Sequence, residues 1–261
     1  MTTYSLWEHI PGLCEETPVL DFYPAENKKT DACFVILPGG GYGMRAEHEG
    51  KGYAEMLNAM GLNAFVCQYR VSPHRFPLPL QDARRAVQFV RSKAEEFGIA
   101  PNKIAIMGSS AGGHLAALTS TYREPVPPAT ADAVDAFDFL PNATVLCYPV
   151  IWEVDESQIT HAGSYQNLLG DQFDTMNGKI NPAKLVNNTT PPAFLWHTSD
   201  DTAVNVCNSF RYGEALRNRN IPFEMHVFPN GPHGLGVAAD RPHIHQWVNL
   251  MQNWLIDLGW L

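Results

Sequence analysis

Along the chain, short runs of consecutive apolar residues alternate with stretches in which apolar positions recur every three or four. The runs are "ACFVIL" at 32–37, "NAFVCQYR" at 63–70, "KIAIM" at 103–107, "ATVLCYPV" at 143–150, "AFLWHT" at 193–198 and "FEMHVF" at 223–228. Between them the spacing predicts helices near 49–60, 80–97, from about 111, near 206–219 and near 241–257. Strands that are apolar on both faces suit a sheet covered on both sides. The fold class is therefore α/β: a mostly parallel central sheet with helices on both faces.

The helix near 80–97 shows its face most clearly. Leu80, Ala83, Val87, Val90 and Ala94 share one stripe, while Arg84, Arg85, Arg91 and Lys93 fall elsewhere. In the last helix Trp247, Val248, Met251, Trp254 and Leu255 repeat the pattern. Two readings of that face stay open, core packing and a subunit contact that would make a homodimer. The rhythm breaks between about 151 and 190, where no strong period runs. A stretch of that length is expected to be a functional loop or a short lid-like insertion in one domain spanning 1–261.

Composition narrows the class. With 261 residues, 45% hydrophobic and 17% charged, the chain can build a packed core and is not of disordered type. A formal net charge of -9, without a Lys/Arg cluster, speaks against a nucleic-acid partner. The first residues lack a basic segment followed by an apolar one, and no apolar run nears the roughly 18 residues of a membrane span. The expectation is a cytoplasmic protein without a membrane partner. Cys14, Cys33, Cys67, Cys147 and Cys207 form no C-x-x-C pair, and three of them lie in strand-like runs, so buried reduced thiols are expected.

The candidate chemistry sits at the ends of strands. Residues 107–112 read "MGSSAG", and G-x-S-x-G fits only Gly108, Ser109, Ser110, Ala111 and Gly112. Between a strand and a helix this is a nucleophile elbow: a turn so sharp that the serine takes a strained conformation, and its small neighbours avoid clashes. Ser110 is thus the candidate nucleophile, with the amide of Ala111 aimed at a developing oxyanion. After the first strand, "LPGGGY" leaves the backbone amides of Gly40 and Gly41 uncovered, the other half of an oxyanion hole. A phosphate loop would need a following lysine, which "GGGYGMRAEH" lacks.

The chain order of this arrangement is serine, acid, histidine. Asp200 and Asp201 end one strand, and His233 follows the next on a glycine-rich loop. Both places are where ligands meet α/β sheets, and either aspartate could orient the imidazole. Of the other histidines, His114 reads as packed beside the site, His226 as mid-strand, and His243 and His245 as part of the last helix. His161 is open between lining the pocket and being an ordinary loop residue. No metal-ligand spacing such as H-E-x-x-H occurs, so no metal or cofactor is expected. Tyr42, Trp152 and Tyr165 are the aromatic residues expected to wall a small acyl pocket.

With these residues the chain resembles an α/β-hydrolase of the acetyl esterase type, in the group related to hormone-sensitive lipase and to bacterial acetylxylan or feruloyl esterases. The matching pieces are "LPGGGY", "YRVSP" (69–73), "PLPLQDARRAV" (77–87), "GSSAGGHLA" (108–116), "HTSDDTAVNV" (197–206) and "GPHGLG" (231–236). The resemblance implies the α/β-hydrolase fold and a Ser110–Asp201–His233 triad. It selects Asp201 because relatives carry the acid in D-x-x-V-P, here Asp201 to Val204 with Asn205 in place of proline. It also puts Pro38 where many relatives have histidine. The activity implied is hydrolysis of short acyl esters, acetylated sugars or xylo-oligosaccharides among them, with a small-molecule ester as partner. Two rivals are an arylformamidase-like amidase and a ligand-binding protein that kept the fold without the chemistry.

Overall fold

The computed structural model describes residues 1–8 and 18–261. Cys14 lies outside the described residues. Among the described residues eight strands form one sheet: β1 (Thr2–Ser5), β2 (Val19–Tyr23), β3 (Cys33–Leu37), β4 (Asn63–Gln68), β5 (Ile104–Ser109), β6 (Ala143–Cys147), β7 (Ala193–Thr198) and β8 (Phe223–Phe228), in the order β1-β2-β4-β3-β5-β6-β7-β8. The six strands from β3 onward pair in parallel. β1 and β2 pair antiparallel with each other, and β2 antiparallel with β4.

The period-two alternation of β3 divides the core. Cys33, Val35 and Leu37 face one layer, which holds Leu80, Val87, Leu115 and Leu216; Phe34 and Ile36 face the other, with Tyr53, Leu57, Trp247 and Met251. The first layer is supplied by helices α2 (Leu78–Ser92), α3 (Ser110–Thr121) and α7 (Cys207–Asn218), the second by α1 (Glu47–Met60) and α8 (Pro242–Asp257). This is the mostly parallel, doubly covered sheet that the apolar runs predict. The apolar face of α8 packs against the sheet within one chain, as the core reading of that face has it.

Differences fall at the antiparallel edge of the sheet, at the ends of elements and on one face of α2. β1 and β2 have no counterpart among the predicted strands. β6 stops at Cys147, three residues early, because Tyr148 takes a positive φ of 37° ahead of Pro149. α2 ends at Ser92. Arg84 and Arg85, expected outside its buried stripe, are themselves buried. Arg85 pairs there with Asp132 and Asp135 and donates to the carbonyl of Leu6. The segment at 151–190 contains three short α-helices, α4 (Ala162–Leu169), α5 (Phe173–Met176) and α6 (Pro182–Leu185), joined by two 3₁₀ turns. It is tied to the glycine loop by Asn167, whose side-chain amide donates to the Gly41 carbonyl at 2.9 Å.

Candidate active site

β5 ends at Ser109 and α3 begins at Ser110 with no residue between. That connection forces Ser110 into a left-handed φ of 52°, strain of the kind that concentrates at functional positions. The turn is possible because its flanks carry no side chain. A Cβ on Gly112 would stand 2.1 Å from the Leu37 carbonyl oxygen, and one on Gly108 would stand 2.1 Å from the Gly112 carbonyl oxygen. Ser110 is thereby held at the C-terminal edge of the sheet, 8% exposed.

The ends of β7 and β8 bring the other two groups to it. His233 Nδ1 lies 2.6 Å from Asp201 Oδ2, and His233 Nε2 lies 2.8 Å from Ser110 Oγ. A carboxylate only accepts, so Nδ1 carries the proton; Nε2 is then free to accept from the serine hydroxyl. Asp201 Oδ1 accepts from the amides of Ala203 and Val204, both at 2.9 Å. Burial pushes its carboxyl pKa up, but hydrogen bonds from His197, His233 and the Val204 amide outweigh burial and hold it well below the usual range. Asp200 does not touch the histidine; its Oδ1 accepts the Gly231 amide at 2.8 Å and so pins the loop that carries His233.

On the other side of Ser110 the loop after β3 supplies amides. Gly40 adopts φ of 124°, and among the described residues no acceptor engages the N–H of Gly40 or Gly41. The Ala111 amide lies in the first turn of α3, whose N–H groups have no partner inside the helix. A cavity of about 240 Å³ opens over these groups, lined by Gly40, Gly41, His48, Glu49, Ser110, His161, Ala203 and His233 among others. A groove of about 740 Å³ shares Ala46 and His48 with it and runs between the first turns of α1 and residues 235–239.

The three aromatic residues expected to wall the pocket are not at this cavity. Tyr42 is buried, and its hydroxyl meets His114 Nδ1 at 2.8 Å; Tyr165 is buried, and its hydroxyl donates to the Ile151 carbonyl at 3.2 Å. Trp152 donates to Asp155 at 2.6 Å and lies under Lys184 and Arg211. Packing behind the glycine loop uses the tyrosines, and local ion contacts use the tryptophan. His114 is likewise a packed group. Its Nε2–H donates to the Ile180 carbonyl at 2.9 Å, so Nδ1 accepts from Tyr42, and burial lowers its pKa to about 4.

His161 does line the cavity, at the start of α4, where its Nδ1 lies 2.9 Å from Ser164 Oγ. Burial lowers its pKa, and the neighbouring His233 ring lowers it further by a smaller amount. His48 and Glu49 also line the cavity, beyond the residues that the sequence motifs mark. Their sequence mark is "EHEG" after the glycine loop, a run of polar residues at a helix start that does not show which of them is buried. Among the described residues no group of His, Cys, Asp and Glu gathers as a metal site, and no helix is long and apolar enough to cross a membrane.

Known proteins share this architecture. A family profile described as BD-FAE matches residues 20–216. The chain is 38% identical over 214 residues to endo-1,4-beta-xylanase B of Butyrivibrio fibrisolvens, covering 80% of this chain and 33% of that protein. It is 32% identical over 233 residues to the acetylxylan esterase of Xylanibacter ruminicola, covering 85% of this chain and 44% of that one. The chain therefore spans less than half the length of these curated relatives. Among solved structures, the acetyl ester-xyloside bifunctional hydrolase from Caldicellulosiruptor lactoaceticus superposes with a TM-score of 0.92 at 39% identity, over 100% of this chain and 97% of that one. A strand order, an elbow and a sequence match that agree from β2 through α7 leave one assignment: the chain has the α/β-hydrolase fold and belongs to the BD-FAE family.

Proposed function

We propose that this protein is a serine carboxylesterase that removes short acyl groups, acetyl foremost, from carbohydrate alcohols. The observation that carries the reading is the hydrogen-bonded line from Asp201 through His233 to Ser110, facing a cavity edged by the unengaged amides of Gly40 and Gly41.

In the reaction, His233 Nε2 takes the Ser110 proton as Oγ bonds to the ester carbonyl carbon. The carbonyl oxygen becomes an oxyanion held by the amides of Gly40, Gly41 and Ala111, each such donor lowering the barrier by roughly 3 kcal/mol. His233 then gives its proton to the departing alcohol oxygen, leaving an acyl-serine. Water, deprotonated by His233, releases the acid and restores the serine. Asp201 keeps the imidazole in the required tautomer throughout.

Substrate size follows from the hollow spaces. The cavity at Ser110 lies below the roughly 300–1,000 Å³ of ordinary small-molecule pockets, which favours a short acyl group. The adjoining groove is edged by Glu47, His48, Lys51 and Glu55, side chains suited to hydroxyl groups, and takes the alcohol portion. The names of the xylan-related relatives support acetylated xylo-oligosaccharides as that class. A cytoplasmic setting fits the free Cys33, Cys67, Cys147 and Cys207.

The test is hydrolysis of p-nitrophenyl acetate, butyrate and octanoate by wild type and Ser110→Ala, beside acetate release from acetylated xylo-oligosaccharide. Rates that fall with chain length and vanish in the variant support the reading, and acetate release supports the sugar class. A folded wild type inert on every one of them overturns it.

A further inference from the structure

Glu49 is a buried carboxyl group, 2% exposed, at the edge of the catalytic cavity. The acyl-transfer steps above give it no task. Its Oε2 accepts the Gly39 amide at 2.8 Å, immediately before the two oxyanion glycines, and its Oε1 accepts the Tyr148 hydroxyl at 2.7 Å. Its Oε1 also lies 4.0 Å from His48 Nε2.

The hydroxyls behind it have one consistent order. Tyr148 donates to Glu49, so the Tyr148 oxygen is left to accept the Gly236 amide at 2.8 Å and the Tyr53 hydroxyl at 3.1 Å. Tyr53 in turn accepts from Ser109 Oγ at 2.8 Å. Every hydrogen bond points toward the carboxylate. The line reaches the residue before the nucleophile, the loop that follows His233, and the loop that presents the oxyanion amides. The Tyr148 ring also stands edge-on to the His233 imidazole, with centroids 5.1 Å apart.

We infer that Glu49, acting through Gly39 and Tyr148, is a positioning residue that holds the oxyanion loop and the His233 loop in register around Ser110. It touches none of the reacting atoms. Its contribution is to keep the Gly40 and Gly41 amides aimed where the oxyanion forms, an alignment worth about 100- to 1,000-fold in rate for each donor. The inference rests on the acyl-transfer reading proposed for this site.

Glu49→Gln tests it with little change of shape. Both oxygens face donors, and the amide offers one acceptor and one opposing donor. The expected result with p-nitrophenyl acetate is a kcat roughly 10- to 100-fold lower with KM within about threefold. Binding of an aryl boronic acid, whose tetrahedral adduct on Ser110 uses the same amides, weakens by a similar factor. Tyr148→Phe moves kcat in the same direction, and the double variant loses less than the product of the single losses. Should Glu49→Gln fail to fold, Tyr148→Phe carries the same kinetic and boronate readouts. A kcat within twofold of wild type, or a loss confined to KM, overturns the inference. Wild type against Ser110→Ala reports separately on the acyl-transfer reading: activity surviving in that variant sinks the parent proposal, whatever Glu49→Gln does.

Discussion

Asp200 and Asp201 are neighbours in the chain and grip opposite parts of one loop. Asp200 Oδ1 takes the amide of Gly231, and Asp201 Oδ2 takes the ring of His233. Their roles are separable by substitution. Asp201→Asn removes the acceptor that fixes the imidazole tautomer and is expected to lower kcat by about 10⁴-fold. Asp200→Asn leaves an oxygen able to accept the Gly231 amide, so its loss is expected to stay under about tenfold. Steady-state kinetics on p-nitrophenyl acetate checks both; equal losses would contradict the assignment of Asp201 as the acid.

The elbow has no room for a methyl group. Gly112→Ala would drive Cβ to 2.1 Å from the backbone oxygen of Leu37 and 2.5 Å from that of Pro38. Neither is a side chain that can swing away. The expected cost is about 3 kcal/mol or more, read as a fall in melting temperature or a loss of folded protein. A variant that melts with the wild type would show that β3 and α3 lie farther apart than described.

Acid should weaken the fold through His114. In the unfolded chain this ring titrates near its ordinary 6.5; in the fold burial outweighs its bond to the Ile180 carbonyl and lowers the value to about 4. Between those values the unfolded chain binds a proton that the folded one refuses. Stability is therefore intact above about pH 6.5 and falls as pH drops toward 4, by at most about 3 kcal/mol. Asp201 adds to this at lower pH, since its depressed carboxyl contributes stability above its ordinary 3.8 that is lost as pH falls below it. Melting curves from pH 8 to 4 should show the decline, and His114→Gln should flatten the part between 6.5 and 4. A wild-type curve flat across that interval would refute the linkage.

The thiols divide by exposure. Cys33, Cys67 and Cys147 are buried, and burial raises the pKa of each, that of Cys147 to about 12; Cys207 is half-buried. Reaction with an aromatic disulfide reagent under native conditions, followed by peptide mass mapping, should modify Cys207 and leave the three strand cysteines untouched until denaturant is added. Early modification of Cys147 would place β6 nearer the surface than its core position.

What could be read in the sequence follows from how local each feature is. Five of the parallel strands announce themselves because both their faces are apolar, β8 by its alternation of Phe223, Met225 and Val227 with Glu224 and His226, and the elbow because its glycines and serine are contiguous. β1 and β2 do not, since "TTYS" is mostly polar and the short β2 is fixed in the sheet by β4, far along the chain, with Val19 opposite Gln68. Tyr42 and Tyr165 look like pocket walls in one dimension; only the packing around His114 shows that the core consumes them. Glu49 is the hardest case. A glutamate in the first turn of a helix reads as a solvated residue at the positive end of the helix dipole, and the hydroxyl that explains its burial is that of Tyr148, nearly a hundred positions away.

Among the described residues β8 is the outermost strand on its side of the sheet, with β7 as its one strand neighbour, and it is half-exposed over most of its length. His233 hangs from the loop directly after it. In the proposed reaction the general base is thus mounted on the rim of the fold, while the serine it serves is anchored at its centre. An edge strand can detach at a smaller free-energy cost than the whole molecule. Turnover then becomes a gauge of the rim: in a urea series, catalysis should fade before the circular dichroism of the helices does, and substrate analogues that bridge Ser110 and His233 should clamp the rim shut.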